Sequence, residues 1–142
     1  MRPTREETYL EICGVLRKRS TCLRGKVGAI LVKDRRIIST GYNGSPPGAP
    51  HCDDLGCSVP ENEHEAGCLR TIHAEANVIA YAARHNGGAE GSALYCTHSP
   101  CLKCAQLLVS AGVVEVHYKT LYRIPDGVDL LQSLGILTFY HE

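Results

Sequence analysis

After an opening hairpin, the chain alternates between predicted helices and strands, and this order limits the folds that it can adopt. A helix capped by Thr4 and ending near Ser20 comes first. Two apolar, β-branched segments, VGAILV (27–32) and IISTGY (37–42), flank a polar turn and predict the hairpin. The later elements are predicted in the order helix 73–85, strand 93–98, helix 100–112, strand 113–118, helix 126–133 and strand 136–140. This alternation predicts an α/β fold with a mostly parallel sheet and helices on both faces.

The size and charge of the chain argue against several classes of function. Its 142 residues are the usual length of one domain, so we expect a single domain over residues 1–142. The 15 basic and 15 acidic residues balance and form no basic block, which argues against a nucleic acid polymer as partner. No apolar segment is long enough to span a membrane, and the N-terminus lacks the apolar region of a signal peptide. We therefore predict a cytoplasmic protein with neither a polymer nor a membrane as partner.

Two short motifs, HAE (73–75) and PCLKC (100–104), carry metal-binding side chains, and each begins a predicted helix. Cys101 and Cys104 are three residues apart, hence on one helical face, and a helix N-terminus lowers the pKa of a thiol. Together with His73 they provide three zinc ligands. Three protein ligands leave a fourth position open, which is the arrangement of a catalytic zinc and not of a structural one.

Glu75 indicates which chemistry such a site performs. It lies two residues after His73, close enough to face the metal site without being a ligand, and a carboxylate there can move protons. H-x-E followed by P-C-x-x-C is the signature of the zinc nucleobase deaminases. Either half alone is weak, since a lone C-x-x-C or a histidine at a helix start is common in unrelated proteins. The two halves in this order are specific and predict a catalytic zinc.

Three longer segments resemble the deoxycytidylate deaminases of bacteria and phages. They are STCLRGKVGAILVKDRRIISTGYNGSPPG (20–48), TIHAEANVIA (71–80) and SPCLKCAQLLVSAGV (99–113). The GYNG motif after the hairpin separates this family from the cytidine, cytosine and tRNA adenosine deaminases. The resemblance implies a cytidine deaminase-like fold, which is a three-layer α/β/α sandwich around a five-stranded mixed sheet. It also implies the zinc-dependent hydrolysis of dCMP to dUMP and ammonia, which supplies dUMP for thymidylate synthesis.

The resemblance also assigns roles to individual residues. His73, Cys101 and Cys104 would bind the catalytic zinc. Glu75 would give a proton to ring atom N3 and then one to the departing amine. The implied substrate contacts are the Ala74 N–H to the pyrimidine O2, the Ser99 carbonyl to the amino group, the Asn43 side chain to the sugar hydroxyl and the Tyr122 ring to the pyrimidine.

The 5′-phosphate of such a substrate needs cationic or N–H donors. Arg24 and Lys26 are the candidates, because they precede the first strand and lie close to GYNG in the expected hairpin. Their alternative is a solvated surface turn, which is where most charged residues are found. For Tyr122 the alternative is ordinary half-buried packing at a strand end.

The cysteines outside PCLKC fall into two groups. Cys13 and Cys96 lie within apolar elements, so we expect both in the core. The others lie in loops around residues 43–70, a segment with too many prolines and glycines for regular structure over most of its length. These loop cysteines are Cys22, Cys52, Cys57 and Cys68.

Four thiols in loops can form a closed structural zinc site, and some family members carry a second zinc here. We predict such a site for the four loop cysteines, with His51 or His64 as alternate ligands. Relatives have a histidine directly before the cysteine that corresponds to Cys68, whereas this chain has Gly67, so the fourth ligand stays open. Free thiols or a disulfide are the alternative.

Two other functions compete with dCMP deamination. The first is deamination of a 5-modified dCMP or of another cytosine nucleoside or nucleotide; GYNG argues against a nucleoside or free base, and nothing in the sequence argues against a 5-modified nucleotide. The second is a non-catalytic zinc module that binds a nucleotide or partner, which would have no use for Glu75. The resemblance further implies a homohexamer regulated by dCTP and dTTP near the GYNG loop, with Mg²⁺ accompanying dCTP.

Overall fold

The computed structural model describes residues 1–58 and 69–142 and contains one five-stranded sheet. Its helices are α1 (Arg5–Leu16), α2 (Cys52–Leu55), α3 (Ala74–His85), α4 (Leu102–Ser110) and α5 (Asp126–Ser133). Its strands are β1 (Gly28–Lys33), β2 (Arg36–Tyr42), β3 (Ala93–His98), β4 (Glu115–Thr120) and β5 (Leu137–Tyr140). None of the described helices is long and apolar enough to cross a membrane.

The order of helices and strands follows the prediction apart from the short α2, several boundaries differ by one or two residues, and two of the differences have a clear cause. The first helix becomes a 3₁₀ turn at Arg17–Arg19 before it ends. Strand β4 begins at Glu115 and not at residue 113, because the Val113 N–H is bonded to the Leu108 carbonyl at the end of α4. This 6→1 hydrogen bond is typical of a helix C-terminus that closes on a left-handed glycine, and Gly112 has φ +85°.

The strands lie in the order β2-β1-β3-β4-β5. Strand β1 is antiparallel to both of its neighbours, whereas β3, β4 and β5 are parallel to one another. Leu94 of β3 lies opposite Leu31 on one side and Val116 on the other. The predicted five-stranded mixed sheet is therefore confirmed.

Helices cover both faces of the sheet, which gives the predicted three layers. On one face, α3, α4 and α5 share a core with the strands, built from Leu31, Val78, Leu94, Leu108, Val116 and Leu131. On the other face, α1 packs over β1 and β3, and its core residues are Tyr9, Leu10, Cys13, Ile30, Val32 and Tyr95. Cys13 and Cys96 are both fully buried, as predicted.

The segment between β2 and α3 is tied back to the sheet at the GYNG motif. Gly44 and Ile72 form an antiparallel bridge with N–H to carbonyl distances of 3.1 and 2.8 Å. The bridge places residues 43 and 44 next to the residue that precedes His73. It brings the end of the hairpin to the start of α3, and the described residues between the two contain one short helix, α2.

Helix α1 is fixed at both of its ends. Thr4 and Glu7 form a reciprocal capping box, with hydrogen bonds of 3.1 Å to the Glu7 N–H and 2.8 Å to the Thr4 N–H. Near its C-terminus the helix lies directly on the backbone of β1 at Gly28. A Cβ atom at Gly28 would lie 2.1 Å from the Cys13 carbonyl oxygen and 2.8 Å from the Arg17 nitrogen. Only glycine allows this approach of helix and strand.

We expect Gly28→Ala to destabilise the fold by about 1–3 kcal/mol, because the new methyl group forces α1 away from β1. Gly14→Ala is the matched control, since it lies within α1 and its Cβ would meet nothing within 4 Å. We expect that control to be stabilising by roughly 0.5–1 kcal/mol through its effect on helix propensity. Chemical denaturation of both variants measures the difference. Equal stabilities would contradict the backbone packing described at Gly28.

Candidate active site

The three predicted metal ligands converge where two helices begin. His73 is the N-cap of α3, Cys101 is the N-cap of α4, and Cys104 lies in the first turn of α4. The Nδ1 atom of His73 lies 3.2 Å from the Cys104 sulfur and 3.6 Å from the Cys101 sulfur. All three ligand atoms lie within 4.8 Å of one another, and in residues 1–58 and 69–142 no other set of three does so. The predicted catalytic set is therefore assembled by the fold.

The donor atoms of this set fit zinc. Two thiols and one imidazole are the ligand types that zinc prefers, and three of them leave one position open. A hydrogen bond with Cys104, and to a lesser extent one with His73, lowers the pKa of Cys101 to about 4 in spite of burial. One thiol is thus already a thiolate at neutral pH, which is the form that binds metal.

Glu75 lies in the first turn of α3, where only 4% of it is exposed. Burial raises its pKa to about 7, although the neighbouring charge of His73 acts in the opposite direction. A carboxyl group with a pKa near the working pH can both accept and donate a proton. Its position beside the ligands and its protonation equilibrium agree with the proton-transfer role predicted for it.

Helix α5 holds the cysteine loop in place from one side. Gly127, in the first turn of α5, packs against the backbone that precedes α4. A Cβ atom at this position would lie 2.1 Å from the Pro100 carbonyl oxygen and 2.8 Å from the Cys101 carbonyl carbon. The chain can therefore bring α5 directly onto the turn that carries the first cysteine ligand.

His73, Cys101 and Glu75 line a cleft of about 610 Å³. The cleft also contains five residues that the sequence predicted for substrate binding, which are Arg24, Asn43, Ala74, Ser99 and Tyr122. Lys26, the second phosphate candidate, is exposed and is not among the lining residues. Of the two phosphate candidates, the structure therefore favours Arg24, which lines the cleft, over Lys26.

Two of the predicted binding residues use their side chains to hold the cleft walls. The Asn43 amide accepts a hydrogen bond from the Val27 N–H at 2.8 Å and donates one to the Gly25 carbonyl at 2.7 Å. The Ser99 hydroxyl accepts the Tyr122 N–H at 2.6 Å. Asn43 thereby fixes the loop that follows Arg24, and Ser99 fixes the backbone of the aromatic residue.

Three basic residues of the cleft were missed by the sequence analysis: His98, Lys103 and Arg123. Each is next to a residue that was singled out, since His98 precedes Ser99, Lys103 precedes Cys104 and Arg123 follows Tyr122. Position beside a motif residue is the signal that could have found them. Arg123 also lies over the Tyr122 ring, with its guanidinium carbon 5.8 Å from the ring centre.

The residues predicted for a second zinc are only partly described. Cys68 and His64 lie outside the described residues. Cys22 and Cys52 are buried, Cys57 is half-buried, and the exposed His51 lies 3.3 Å from the Thr21 hydroxyl through its Nδ1 atom. The described members alone do not form a set of three ligands within reach of one ion. The second zinc therefore stays a prediction.

A mixed sheet that carries one histidine and two cysteine ligands at helix starts, with a buried glutamate beside them, defines the zinc-dependent deaminase class. Comparison with known proteins agrees with this assignment. The family model for the cytidine and deoxycytidylate deaminase zinc-binding region matches residues 3–120. The chain therefore belongs to the cytidine and deoxycytidylate deaminase family.

Comparison with individual proteins shows which members of this family the chain is similar to. The chain is 40% identical over 124 residues to the deoxycytidylate deaminase of Mycobacterium phage D29, covering 82% of this chain and 95% of the relative. It is 39% identical over 123 residues to ComE operon protein 2 of Bacillus subtilis, covering 86% of this chain but only 63% of the relative. A crystal structure of the cyanophage S-TIM5 dCMP deaminase in complex with dCMP and dUMP superimposes with a TM-score of 0.85, at 38% identity and 99% coverage of both chains. These matches confirm the predicted resemblance and fold.

We expect Cys104→Ser to lower the zinc content of the purified protein by about one equivalent per chain, because a serine hydroxyl does not replace a thiolate ligand. Cys13→Ala is the control, since it removes a buried thiol from α1 on the opposite face of the sheet. Metal analysis of folded protein measures the difference. Zinc that remains in Cys104→Ser would report the second site, whereas an unchanged total would contradict the assigned ligand set.

Proposed function

We propose that the chain hydrolyses dCMP to dUMP and ammonia. The observation that carries this proposal is the His73, Cys101 and Cys104 set beside a buried Glu75, inside a cleft large enough for a nucleotide. The similarity to phage dCMP deaminases supports the choice of substrate. The product would supply thymidylate synthesis with dUMP, and a free nucleotide as substrate agrees with the predicted cytoplasmic location.

The reaction replaces the amino group at C4 with oxygen from water. Zinc held by the three ligands would act as a Lewis acid that makes water a nucleophile near neutral pH. Glu75 accepts a proton from the attacking water and places it on N3 as the C4–O bond forms. It then transfers the second water proton to the amino group, the C4–N bond breaks, and ammonia leaves. The pKa of Glu75, raised to about 7, suits both transfers.

The walls of the cleft would orient the substrate. The buried Ala74 is the first residue of α3, where backbone N–H groups have no partner within the helix, and its N–H would hold the pyrimidine O2. The Ser99 carbonyl would accept the amino group, and Tyr122 would pack on the ring. Asn43 would contact the sugar hydroxyl while it fixes the loop after Arg24. Arg24 would pair with the 5′-phosphate.

A 5-modified dCMP is the second candidate substrate, because one side chain of the cleft would decide whether a 5-substituent is accepted. Another cytosine nucleotide or nucleoside is the broader form of the same alternative. A non-catalytic zinc module is disfavoured by the burial of Glu75, since a buried carboxyl group that serves no reaction is costly.

Four finer proposals rest on the resemblance and on the cysteines of the loop. A second, structural zinc would be held by Cys22, Cys52, Cys57 and Cys68, or with His51 or His64 in place of one of them; burial of Cys22 and Cys52 supports it. The assembly would be a homohexamer. Its effectors would be dCTP and dTTP, bound near GYNG. Mg²⁺ would accompany the dCTP.

We expect Glu75→Gln to reduce kcat on dCMP by at least about 100-fold while zinc content stays unchanged, because the amide cannot carry the proton. Glu11→Gln makes the same exchange at an exposed position of α1 and should leave kcat unchanged. Steady-state deamination and metal analysis measure both quantities. Retained activity in Glu75→Gln would refute the mechanism, and loss of zinc would show that Glu75 supports the metal site instead.

We expect Arg24→Ala to raise the KM for dCMP by roughly 10-fold or more, because a charge-assisted hydrogen bond to phosphate is lost. Lys26→Ala removes a cation two residues away that does not line the cleft, and its KM should stay within about twofold of the wild type. Deamination assays of the wild type on dCMP, CMP, deoxycytidine and 5-substituted dCMP measure which parts of the substrate are required. Equal turnover of deoxycytidine and dCMP would overturn the need for a phosphate.

A further inference from the structure

His98 is a cleft residue with no role in the reaction as described. It is the last residue of β3, it is half-buried, and it lines the same cleft as Glu75 and Arg24. Its Nδ1 atom lies 2.8 Å from the Thr97 hydroxyl. No described residue is a hydrogen-bond partner of its Nε2 atom, and in the described part of the chain no side-chain nitrogen or oxygen is both buried and unsatisfied. The Nε2 atom is therefore accessible, and His98 as a residue lines the cleft.

The neighbouring backbone selects one tautomer of this imidazole. The Gly28 N–H can only donate, and it donates to the Thr97 hydroxyl oxygen at 3.2 Å. The hydroxyl proton of Thr97 then has one described acceptor, the His98 Nδ1 atom. Because Nδ1 accepts this hydrogen bond, it carries no proton, and the proton of the neutral ring is on Nε2. The hydrogen bonds from Gly28 through Thr97 to His98 thus leave an N–H donor at Nε2 of a residue that lines the cleft.

Hydrogen bonds link His98 to the segment of the chain that carries Arg24. Through Thr97 it is linked to Gly28, and the residue before Gly28 is bonded to Asn43, which fixes the loop that follows Arg24. Glu75 and the metal ligands, which would act on N3 and C4 of the pyrimidine, are carried by the first turns of α3 and α4. A donor linked to the Arg24 segment suits the part of a nucleotide that is richest in acceptors, which is the phosphate.

We propose that His98 is a specificity-determining residue whose Nε2–H donates a hydrogen bond to the 5′-phosphate of the substrate, with Thr97 as the positioning residue that holds its tautomer. This inference rests on the proposed nucleotide deaminase function. Burial, followed by the charge of Arg17, lowers the pKa of His98, so the donor is the neutral ring and the phosphate charge is balanced by Arg24. A neutral donor that acts together with an arginine adds a hydrogen bond to the monophosphate without placing a further charge at the half-buried position of His98.

The first test compares two substitutions at His98. His98→Phe keeps the ring shape and removes the donor, so the KM for dCMP should rise roughly 10- to 100-fold, with a much smaller change for deoxycytidine. His98→Gln places an amide N–H near the former Nε2 position and should recover most of the loss. His85→Phe, at an exposed position on α3, is the matched histidine control and should match the wild type. Thermal melting of each variant reports whether it is folded.

Calorimetric titration with dUMP and with deoxyuridine gives a readout that does not depend on turnover. His98→Phe should weaken dUMP binding more than deoxyuridine binding, whereas an equal loss for the two ligands would overturn the phosphate contact. If the wild type neither deaminates dCMP nor binds dUMP, the proposed function fails. If it does both and His98→Phe matches it, only the role of His98 fails.

The role of Thr97 is tested by the state of the imidazole. Long-range ¹H–¹⁵N spectra of the wild type should show His98 as the Nε2–H tautomer. Thr97→Val keeps the side-chain shape but removes the hydroxyl, so the spectra should show a mixture of tautomers and the KM for dCMP should rise while kcat changes little. An Nδ1–H tautomer in the wild type would overturn the assignment, and so would an unaltered tautomer in Thr97→Val.

Discussion

The site depends on two helices whose first residues meet at one point. Helix N-caps are normally serine, threonine, aspartate or asparagine, which bond to the free N–H groups of the first turn. Here the caps of α3 and α4 are His73 and Cys101, and neither makes a capping hydrogen bond with its side chain. By contrast, α1 has a complete capping box at Thr4. The two catalytic helices thus give up a standard source of stability so that their cap side chains can turn toward each other and a metal ion.

The same region uses side-chain to backbone hydrogen bonds to hold loops that have little core of their own. Asn43 is 8% exposed and bonds to the backbone on both sides of Lys26, while Ser99 holds the backbone of Tyr122. These hydrogen bonds hold the backbone of the cleft walls in place in the absence of a ligand. Affinity then depends less on ordering the protein during binding.

The sequence predicted the catalytic residues well because the motifs that identify them are short and contiguous in the chain. His73, Glu75, Cys101 and Cys104 lie in two short motifs at helix starts, and the alternation of helices and strands places both starts at one end of a sheet. Lys26 could not be separated from Arg24 in this way, because two cations near one turn differ only in how the loop is folded. That loop is fixed by Asn43, which is 16 residues away from the backbone N–H that it accepts. His98 was missed for a similar reason, since its orientation depends on Gly28, which is 69 residues from Thr97 in sequence.

The acidic thiol of Cys101 also affects how the protein must be handled. Thiolates react with peroxides and disulfides far more readily than thiols do, and the Cys104 sulfur is close enough to be hydrogen-bonded to it. Removing the metal with a chelator would leave this pair exposed to oxidants, because a sulfenic acid on one cysteine condenses with a neighbouring thiol. The metal that serves hydrolysis would therefore also act as a protecting group, and preparations stored without it would need a reductant to keep their ability to bind zinc again.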